Sequence, residues 1–298
     1  MKAPRVWVLI IAVVAIVFFS AKAVFVKMAY LYEIEAIPLL LLRMAFAFPV
    51  YLVIAWVKKP NHPEDIVLED YLWVVGLGFI GYYLASLTDF LGLEFIKASL
   101  ERIILFVYPT LVILITWIFF GEKPGKWQIV AILVSYVGIL ITFSDELELS
   151  GNKDAIWIGG LLVFLSALCY ACYLVGSGWL IPKFGSVAFT SYAMIVSTIC
   201  VFVHFGLTQP LDLLDYPIEV YGLAFGMAMV STVIPSYLVS VSIKHLGAST
   251  FSILGSLGPI STIVLAAIFL DERLTRLQLF GALIVIAAVV IVSLHKKK

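Results

Sequence analysis

Charged side chains are scarce in this chain: Asp, Glu, Lys and Arg together make up 13% of its 298 residues. Soluble globular domains carry about 25% charged residues, whereas 63% of this sequence is hydrophobic, so the composition excludes a water-soluble domain. The 19 basic and 19 acidic residues leave no net charge, which argues against a nucleic-acid partner. The basic run from Lys296 to Lys298 is typical of a membrane-flanking tail rather than of a nucleic-acid-binding arm.

Motifs for catalysis and for metal or nucleotide binding are also missing. The sequence has no His-Glu-x-x-His motif, which a membrane metalloprotease needs, and no nucleotide-binding loop, which excludes ATP as the direct energy source. Gly76 to Gly81 matches the dinucleotide fingerprint, but it lies within an apolar segment with no strand before it. Cys169 and Cys172, two of only three cysteines, lack the context of a redox motif. We therefore expect no catalytic residue, no metal and no cofactor.

Long apolar segments, by contrast, are abundant. Each is close to the ~20 residues that a helix needs to cross ~30 Å of hydrocarbon, and backbone polar groups in lipid must bond within their own segment. The connections are too short for a domain outside the membrane. We predict an all-α integral membrane protein with ten transmembrane helices. The predicted spans cover residues 6–30, 37–57, 70–89, 95–120, 127–143, 156–180, 187–207, 218–241, 246–270 and 277–294.

An internal duplication relates the two halves of the chain with an offset of 150 residues. Ala98-Ser99, Pro109, Phe119, Glu122 and Gln128 recur, without a gap, as Ala248-Ser249, Pro259, Phe269, Glu272 and Gln278. We assign residues 1–145 to the first repeat, with helices one to five, and 154–298 to the second, with helices six to ten. Because five is an odd number, the second repeat enters the membrane from the opposite side. Such inverted repeats are typical of secondary transporters.

The distribution of Lys and Arg between the loops predicts the orientation. With the N-terminus in the cytoplasm, eleven of these residues lie in inner segments and four in outer loops. We therefore expect a multi-pass protein of the cytoplasmic membrane, with both termini on the cytoplasmic side.

Four ionisable residues lie inside the predicted spans, where each costs ~2.5–3.5 kcal/mol if it is unpaired at the bilayer centre. They are Lys22, Arg43, Glu101 and Arg102. At ~1.5 Å of rise per residue, all four lie about 9–12 Å below the outer surface, so they can pair. Asp89 can offset one cation, and the surplus positive charge suits an anionic substrate group. The alternative is a buried ion network that only fixes helix packing. Glu101 is also a candidate proton carrier, unless it stays in a permanent salt bridge.

Polar and recurring residues supply the remaining candidates. Candidate substrate contacts are Tyr108, Tyr170 and Tyr237, and the expected wall of the cavity also includes Tyr173, Tyr192, Ser231 and Ser236. The residues interpreted as structural because they recur are Pro109, Pro259, Glu122 and Glu272. For the two glutamates we favour a contact that anchors a helix end to the next helix over a role in a gate. His204 is interpreted as a hydrogen-bonded packing residue rather than a proton relay.

The stretch from Ser20 to Lys27, the pair Leu42-Arg43 and the doubled Ala-Ser…Pro…Phe-x-x-Glu pattern resemble the drug/metabolite transporter superfamily, in its EamA-type branch. The resemblance covers essentially the whole chain. It implies ten helices, two EamA repeats, a location in the cytoplasmic membrane and, often, export of small metabolites. Glu101-Arg102 departs from the largely uncharged fourth helix of many relatives.

These observations favour a secondary transporter that moves a small organic metabolite by alternating access. An anionic or zwitterionic, amino-acid-like substrate is favoured, as is export rather than import. The expected partners are the small-molecule substrate and the lipid bilayer, with no nucleic acid, and a homodimer is left open. The alternative is a membrane-embedded enzyme or scaffold with no transport activity. The sequence leaves open which substrate and which coupling ion are used.

Overall fold

The computed structural model describes residues 5–121, 123–149, 151–210, 213, 215–246, 255 and 257–294. These residues form helices and short connections, and none of them lies in a strand. Eight helices are long and apolar enough to cross a membrane, and two shorter apolar helices complete the set, which confirms the predicted class. In chain order they are α1 Trp7–Tyr30, α2 Ala36–Val57, α3 Leu68–Phe95, α4 Ala98–Phe120, α5 Lys126–Leu149, α6 Lys153–Phe184, α7 Ser186–Thr208, α8 Ile218–Val239, α9 Leu257–Phe269 and α10 Arg276–Leu294.

Three helices are longer than the apolar runs that predicted them. α3 continues to Phe95 instead of ending at residue 89, α5 continues to Leu149 instead of 143, and α6 covers Lys153–Phe184 instead of 156–180. Their ends carry polar groups that water or a cap can satisfy, so a helix need not stop where its apolar run stops. At the start of α6, the side chain of Asn152 accepts a hydrogen bond from the backbone nitrogen of Ala155 at 3.1 Å, as an N-cap residue does.

The first and fourth spans each consist of two helical pieces. A break at Ala21 separates Arg5–Ser20 from Lys22–Tyr30 in α1. In α4, residues 106–107 separate Ala98–Leu105 from Tyr108–Phe120. The fourth span also starts at Ala98 and not at residue 95, because residues 96–97 form the tight connection from α3. These breaks, which the apolar runs did not predict, place charged residues next to helix interruptions.

The two prolines of the repeat stand in equivalent places. Pro109 lies in the first turn of the second piece of α4, and Pro259 lies in the first turn of α9. A proline there loses no hydrogen bond, because the first N–H groups of a helix have no partner within it. Each repeat also has a π-helical turn, Phe79–Leu84 in α3 and Met229–Val233 in α8, and their first residues are 150 positions apart. Such turns often occur at functional sites.

Helices from opposite halves pack against one another throughout the molecule. α3 packs on α6, and α8 packs on α1. The two contacts are equivalent, because α8 is the repeat equivalent of α3 and α1 that of α6. The pairs α2–α7, α4–α9 and α5–α10 each join a helix to its own repeat equivalent. Close approach relies on small residues: a Cβ at Gly138 of α5 would come within 2.6 Å of the carbonyl oxygen of Gly281 in α10. The two repeats therefore form one interlocked body.

Candidate functional site

Five charged residues of the first half form a buried group, which we call the ion cluster: Lys22, Arg43, Asp89, Glu101 and Arg102. Their exposed fractions are 9%, 4%, 1%, 0% and 8%. Lys22 is the first residue after the break in α1, and the tight connection between α3 and α4 brings Asp89 and Glu101 together. Buried charges are costly without partners, so the contacts within this group determine what it can do.

Lys22 is already occupied by two carboxylates. Its Nζ lies 2.6 Å from Oδ2 of Asp89 and 3.6 Å from Oε1 of Glu101. The sequence suggested three cations facing one or two carboxylates. The structure assigns the two carboxylates to Lys22, which leaves the two arginines as the cations without an acidic partner.

Neither arginine of the ion cluster has a carboxylate within 4.0 Å in the part of the chain that the structure describes. Arg43 donates from Nη2 to the hydroxyl of Ser86 at 3.1 Å and lies over the ring of Phe90, 4.9 Å from its centroid. The Nε of Arg43 has no hydrogen-bond partner among the described residues. Its guanidinium therefore has a donor left for a further group.

Arg102 repeats this arrangement on another helix. It donates from Nη2 to the hydroxyl of Ser20 at 3.1 Å, and its guanidinium lies 5.5 Å from the ring centroid of Phe19. Over the described residues its Nε also lacks a hydrogen-bond acceptor. One hydroxyl and one aromatic ring orient the guanidinium group but do not neutralise its charge. Part of its N–H donors therefore remains without an acceptor.

Six tyrosines from both halves form a second group, which we call the tyrosine cluster: Tyr51, Tyr82, Tyr108, Tyr170, Tyr173 and Tyr237. The ring centroids are 5.2 Å apart for Tyr108 and Tyr170, 4.8 Å for Tyr82 and Tyr173 and 5.9 Å for Tyr51 and Tyr237. The hydroxyl of Tyr173 donates to that of Tyr82 at 3.2 Å. Arg102 lies close enough to Tyr108 and Tyr170 to act electrostatically on both hydroxyls, so the two clusters adjoin.

The ion cluster is nearly closed to water in this conformation, and an open cavity lies elsewhere among the described residues. That cavity has a volume of about 400 Å³ and opens beside the connection between α1 and α2. Its lining includes Tyr30, Glu33, Glu35 and Glu94, so it has acidic and not basic walls. Glu94 is also engaged, because it accepts a hydrogen bond from the backbone nitrogen of Ala36 at 3.0 Å.

Glu272, at the end of α9, caps a helix of the other half. Its Oε1 accepts from the backbone nitrogen of Ala98 at 2.9 Å. Its Oε2 accepts from the backbone nitrogen and the hydroxyl of Ser99, at 3.0 and 2.6 Å. The sequence predicts a contact with the next helix, but the partner is the start of α4, whose first N–H groups need an acceptor. The repeat equivalents Glu122 and Ala248-Ser249 lie outside the described residues.

The recurring glutamines have a local role. Gln128 accepts from the backbone nitrogen of Gly125 at 2.7 Å, and Gln278 accepts from that of Thr275 at 3.1 Å. Both therefore close the first turn of the fifth helix of their repeat. Gln278 in addition donates to Glu146 at 2.7 Å, which joins α10 to α5.

A comparison with protein families decides which class of protein has this arrangement. The model of the EamA-like transporter family matches residues 6–144 and 157–294, one repeat in each half. The chain belongs to the EamA-like transporter family. It is accordingly a multi-pass integral membrane protein, and the resemblance inferred from the doubled motif is confirmed.

Several curated relatives of this EamA-like transporter are themselves named as transporters. Uncharacterized transporter YcbK of Bacillus subtilis (strain 168) is 31% identical over 91% of this chain and 88% of its own. Uncharacterized transporter sll1319 of Synechocystis sp. is 26% identical over 87% and 79% of the two chains. A solved crystal structure with 14% identity covers 98% of both chains with a TM-score of 0.66, which shows a shared fold alone.

Several residues of the two clusters could not be predicted from the sequence. Tyr51 and Tyr82 belong to the tyrosine cluster but were not singled out, although each lies on the face of its helix that meets the other half. Ser20 and Ser86 were missed as partners of the arginines, because a lone serine in an apolar span gives no distinctive signal. His204, as expected, is hydrogen-bonded, with Nδ1 3.0 Å from the hydroxyl of Tyr83.

Two expected wall residues make their contacts with residues outside the tyrosine cluster. The ring of Tyr192 packs on Phe184, with 6.0 Å between centroids. The hydroxyl of Ser231 bonds to the carbonyl oxygen of Met227 at 2.9 Å, within its own helix. Ser236, in contrast, lies beside the cluster, with its hydroxyl 3.1 Å from that of Tyr51.

Proposed function

We propose that this protein is a secondary transporter that carries a small organic anion or zwitterion, amino-acid-like in size, across the cytoplasmic membrane by alternating access. The observation that carries the proposal is the pair of buried guanidinium groups, Arg43 and Arg102, which have no carboxylate partner within 4.0 Å among the described residues. Export is the proposed direction of net flux, on the basis of the family resemblance.

The arginines favour an anionic group for a physical reason. An ionisable residue at membrane depth marks a substrate or ion pathway by default, because its insertion is costly. Serine hydroxyls and aromatic rings hold Arg43 and Arg102 in place but do not neutralise them. A carboxylate accepts two parallel hydrogen bonds from a guanidinium fork. A substrate carboxylate or phosphate would therefore accept the hydrogen bonds that Arg43 and Arg102 have left to donate, and would neutralise positive charge.

The tyrosine cluster suits the remainder of such a substrate. Tyrosine offers a large apolar ring and one polar hydroxyl, and a few polar groups within an apolar wall are typical of small-molecule sites. The cluster includes Tyr82 and Tyr108 from the first half and Tyr170, Tyr173 and Tyr237 from the second. Rocking one repeat against the other would therefore change its shape, as alternating access requires.

Exchange in proteoliposomes tests this proposal. Vesicles containing the purified protein are loaded with an unlabelled mixture of the twenty amino acids and small mono- and dicarboxylates, and the same mixture with isotopic label is supplied outside. We expect saturable, protein-dependent entry of one or more labelled compounds that carry an anionic group. No saturable entry of any compound, with folded protein in the vesicles, would favour a membrane-embedded enzyme or scaffold instead.

A further inference from the structure

Two carboxylates of the ion cluster share a single ammonium group. Asp89 and Glu101 are 1% and 0% exposed, and Lys22 lies within 2.6 Å of the first and 3.6 Å of the second. One ammonium shared by two carboxylates leaves one of them without an ion-pair partner of its own, in a site that is nearly closed to water. Two adjacent carboxylates cannot both remain ionised there without cost, which is why such pairs tend to retain one proton.

The hydrogen bonding of the pair is also incomplete. No donor among the described residues satisfies hydrogen-bond geometry to any of the four oxygens of Asp89 and Glu101, although the 2.6 Å approach of Lys22 is within ion-pair distance. Both carboxylates nevertheless lie within 4.0 Å of the same ammonium, that of Lys22. Ionised carboxylates only accept hydrogen bonds, so a bond between these two requires a proton on one of them.

The charged groups that face the pair come from three helices. They are Lys22 of α1, Arg43 of α2 and Arg102 of α4. Arg43 and Arg102 are held by Ser86 and Ser20, so neither forms an ion pair with Asp89 or Glu101 in this conformation.

Other ionisable groups on the helices around the pair are engaged elsewhere. Lys27 donates to the carbonyl oxygen of Leu93 at 3.0 Å, and Lys97 pairs with Glu146 of α5 at 2.9 Å. α9 has no ionisable residue between Leu257 and Phe269, and the charges of α6 lie near its ends. Tyr30 of α1 acts electrostatically on Asp89, and its hydroxyl donates to the carbonyl oxygen of Phe90 at 2.8 Å. Tyr108 and Tyr170 lie near Arg102.

We propose that Asp89 and Glu101 form one proton-binding site, in which a single proton is shared by the two carboxylates. A proton from water binds to an oxygen of one carboxylate, and the resulting O–H donates to the other. One of the two negative charges of the pair is removed, no bond between heavy atoms changes, and Lys22 remains paired with the carboxylate that is still ionised.

The role of this site in transport rests on the proposed function. Loss of one negative charge makes the surroundings of Arg43 and Arg102 more positive, so a bound proton favours a bound anion. The coupling is reciprocal, since two ligands change each other's affinity by the same factor. Proton and anion would therefore move in the same direction, and each exported anion would carry one proton outward.

Infrared spectroscopy of the purified protein in lipid tests proton binding without any substrate. We expect the carbonyl stretch of a buried protonated carboxyl group to grow on acidification and to shift in D2O. Glu101→Gln and Asp89→Asn should each abolish it, because either leaves only one carboxylate for Lys22. The matched control is Glu94→Gln, which alters a carboxylate that is only partly buried at the outer end of α3 and should leave the band unchanged.

Absence of a titrating band in the unmodified protein overturns the proposal, as does a band that persists in both amide variants. If those variants do not fold, Glu101→Asp, which keeps the charge, is the deciding variant. A shift of its carbonyl band relative to the unmodified protein supports the proposal, and an unchanged band overturns it. The spectra do not depend on flux. Vesicles in which a substrate is transported but no titrating band is found would leave the proposed function standing and remove the proton site.

Discussion

The hydroxyl of Ser99 donates a hydrogen bond of 2.6 Å to the carboxylate of Glu272, across the boundary between the two repeats. The motif that recurs in each half includes both members of this contact, an Ala-Ser pair at the start of one helix and a glutamate at the end of another. These recurring residues therefore have a structural role in the contact that the structure describes. The glutamate of the second half satisfies the N–H groups of Ala98 and Ser99 in the first half, and a helix N-terminus favours a negative charge.

Removal of this cap should destabilise the protein. Glu272→Ala leaves three hydrogen-bond donors at the start of α4 without an acceptor, and loss of a helix cap typically costs about 0.5–2 kcal/mol. Glu272→Gln keeps an acceptor oxygen and should have a smaller effect. The midpoint of thermal unfolding in detergent measures both. Asp271→Asn, on the exposed neighbouring residue, is the control, and an equal loss for Asp271→Asn and Glu272→Ala would contradict the assignment.

Gly81 allows the tyrosine cluster to form. The helix bearing it approaches Tyr173 so closely that a Cβ at position 81 would overlap the side chain of Tyr173. Gly81→Ala should therefore displace Tyr173 from Tyr82 and cost about 1–3 kcal/mol, as overpacking does. Gly76→Ala on the same helix has nothing within 4 Å of the new Cβ, so its stability should be unchanged or slightly higher. Similar unfolding midpoints for the two variants would refute the close contact.

Substitutions of Lys22 and of Asp89 should have non-additive effects on the free energy of unfolding. Lys22→Met leaves two buried carboxylates without an ammonium, and breaking a buried pair costs roughly 3–5 kcal/mol. The additional replacement Asp89→Asn should recover part of that loss, so the effects will not add. A double-mutant cycle measures this coupling. The reference cycle combines substitutions of Lys22 and of Glu146, which pairs with Lys97 and not with Lys22. If the changes in the free energy of unfolding are additive in both cycles, the 2.6 Å contact contributes nothing to stability.

The inverted topology predicts opposite locations for two loops. In a variant without the native cysteines, a cysteine at Asn61 should react with thiol reagents from the cytoplasmic side and one at Lys153 from the outside. Three spans separate these positions. Labelling of both positions from the same side would be incompatible with five helices per repeat.

Much of the fold could be predicted from the sequence, because the lengths of apolar runs and the 150-residue offset reflect the bilayer and the duplication directly. The break at Ala21 and the π-helical turn in α3 could not, since no proline or charge run marks them, whereas Pro235 lies two residues after the π-helical turn in α8. The concentration of charge at one depth indicated the ion cluster. The assignment of both carboxylates to Lys22, which leaves Arg43 and Arg102 open, depends on contacts between helices that spacing along the chain does not encode.

The contact of Glu272 with the start of α4 could have been predicted from the repeat. Ala98-Ser99 and Glu272 belong to the same recurring set, and residues that recur together under an inverted repeat are candidates to contact each other across it. The expectation of a contact with the next helix followed the order of the chain, whereas the pairing of helices in this fold runs between the halves.

The concentration dependence of transport in Arg43→Gln and Arg102→Gln vesicles tests the central claim most directly. Hydrogen bonds to charged groups contribute about 1.5–3 kcal/mol, and ~1.4 kcal/mol corresponds to tenfold in affinity. Each variant should therefore raise the half-saturating concentration of the transported anion by about tenfold or more. Arg273→Gln, which removes an exposed guanidinium, should leave it unchanged. If Arg43→Gln and Arg102→Gln both transport the same compound with the half-saturating concentration of the unmodified protein, the two arginines do not bind the substrate and the account is wrong.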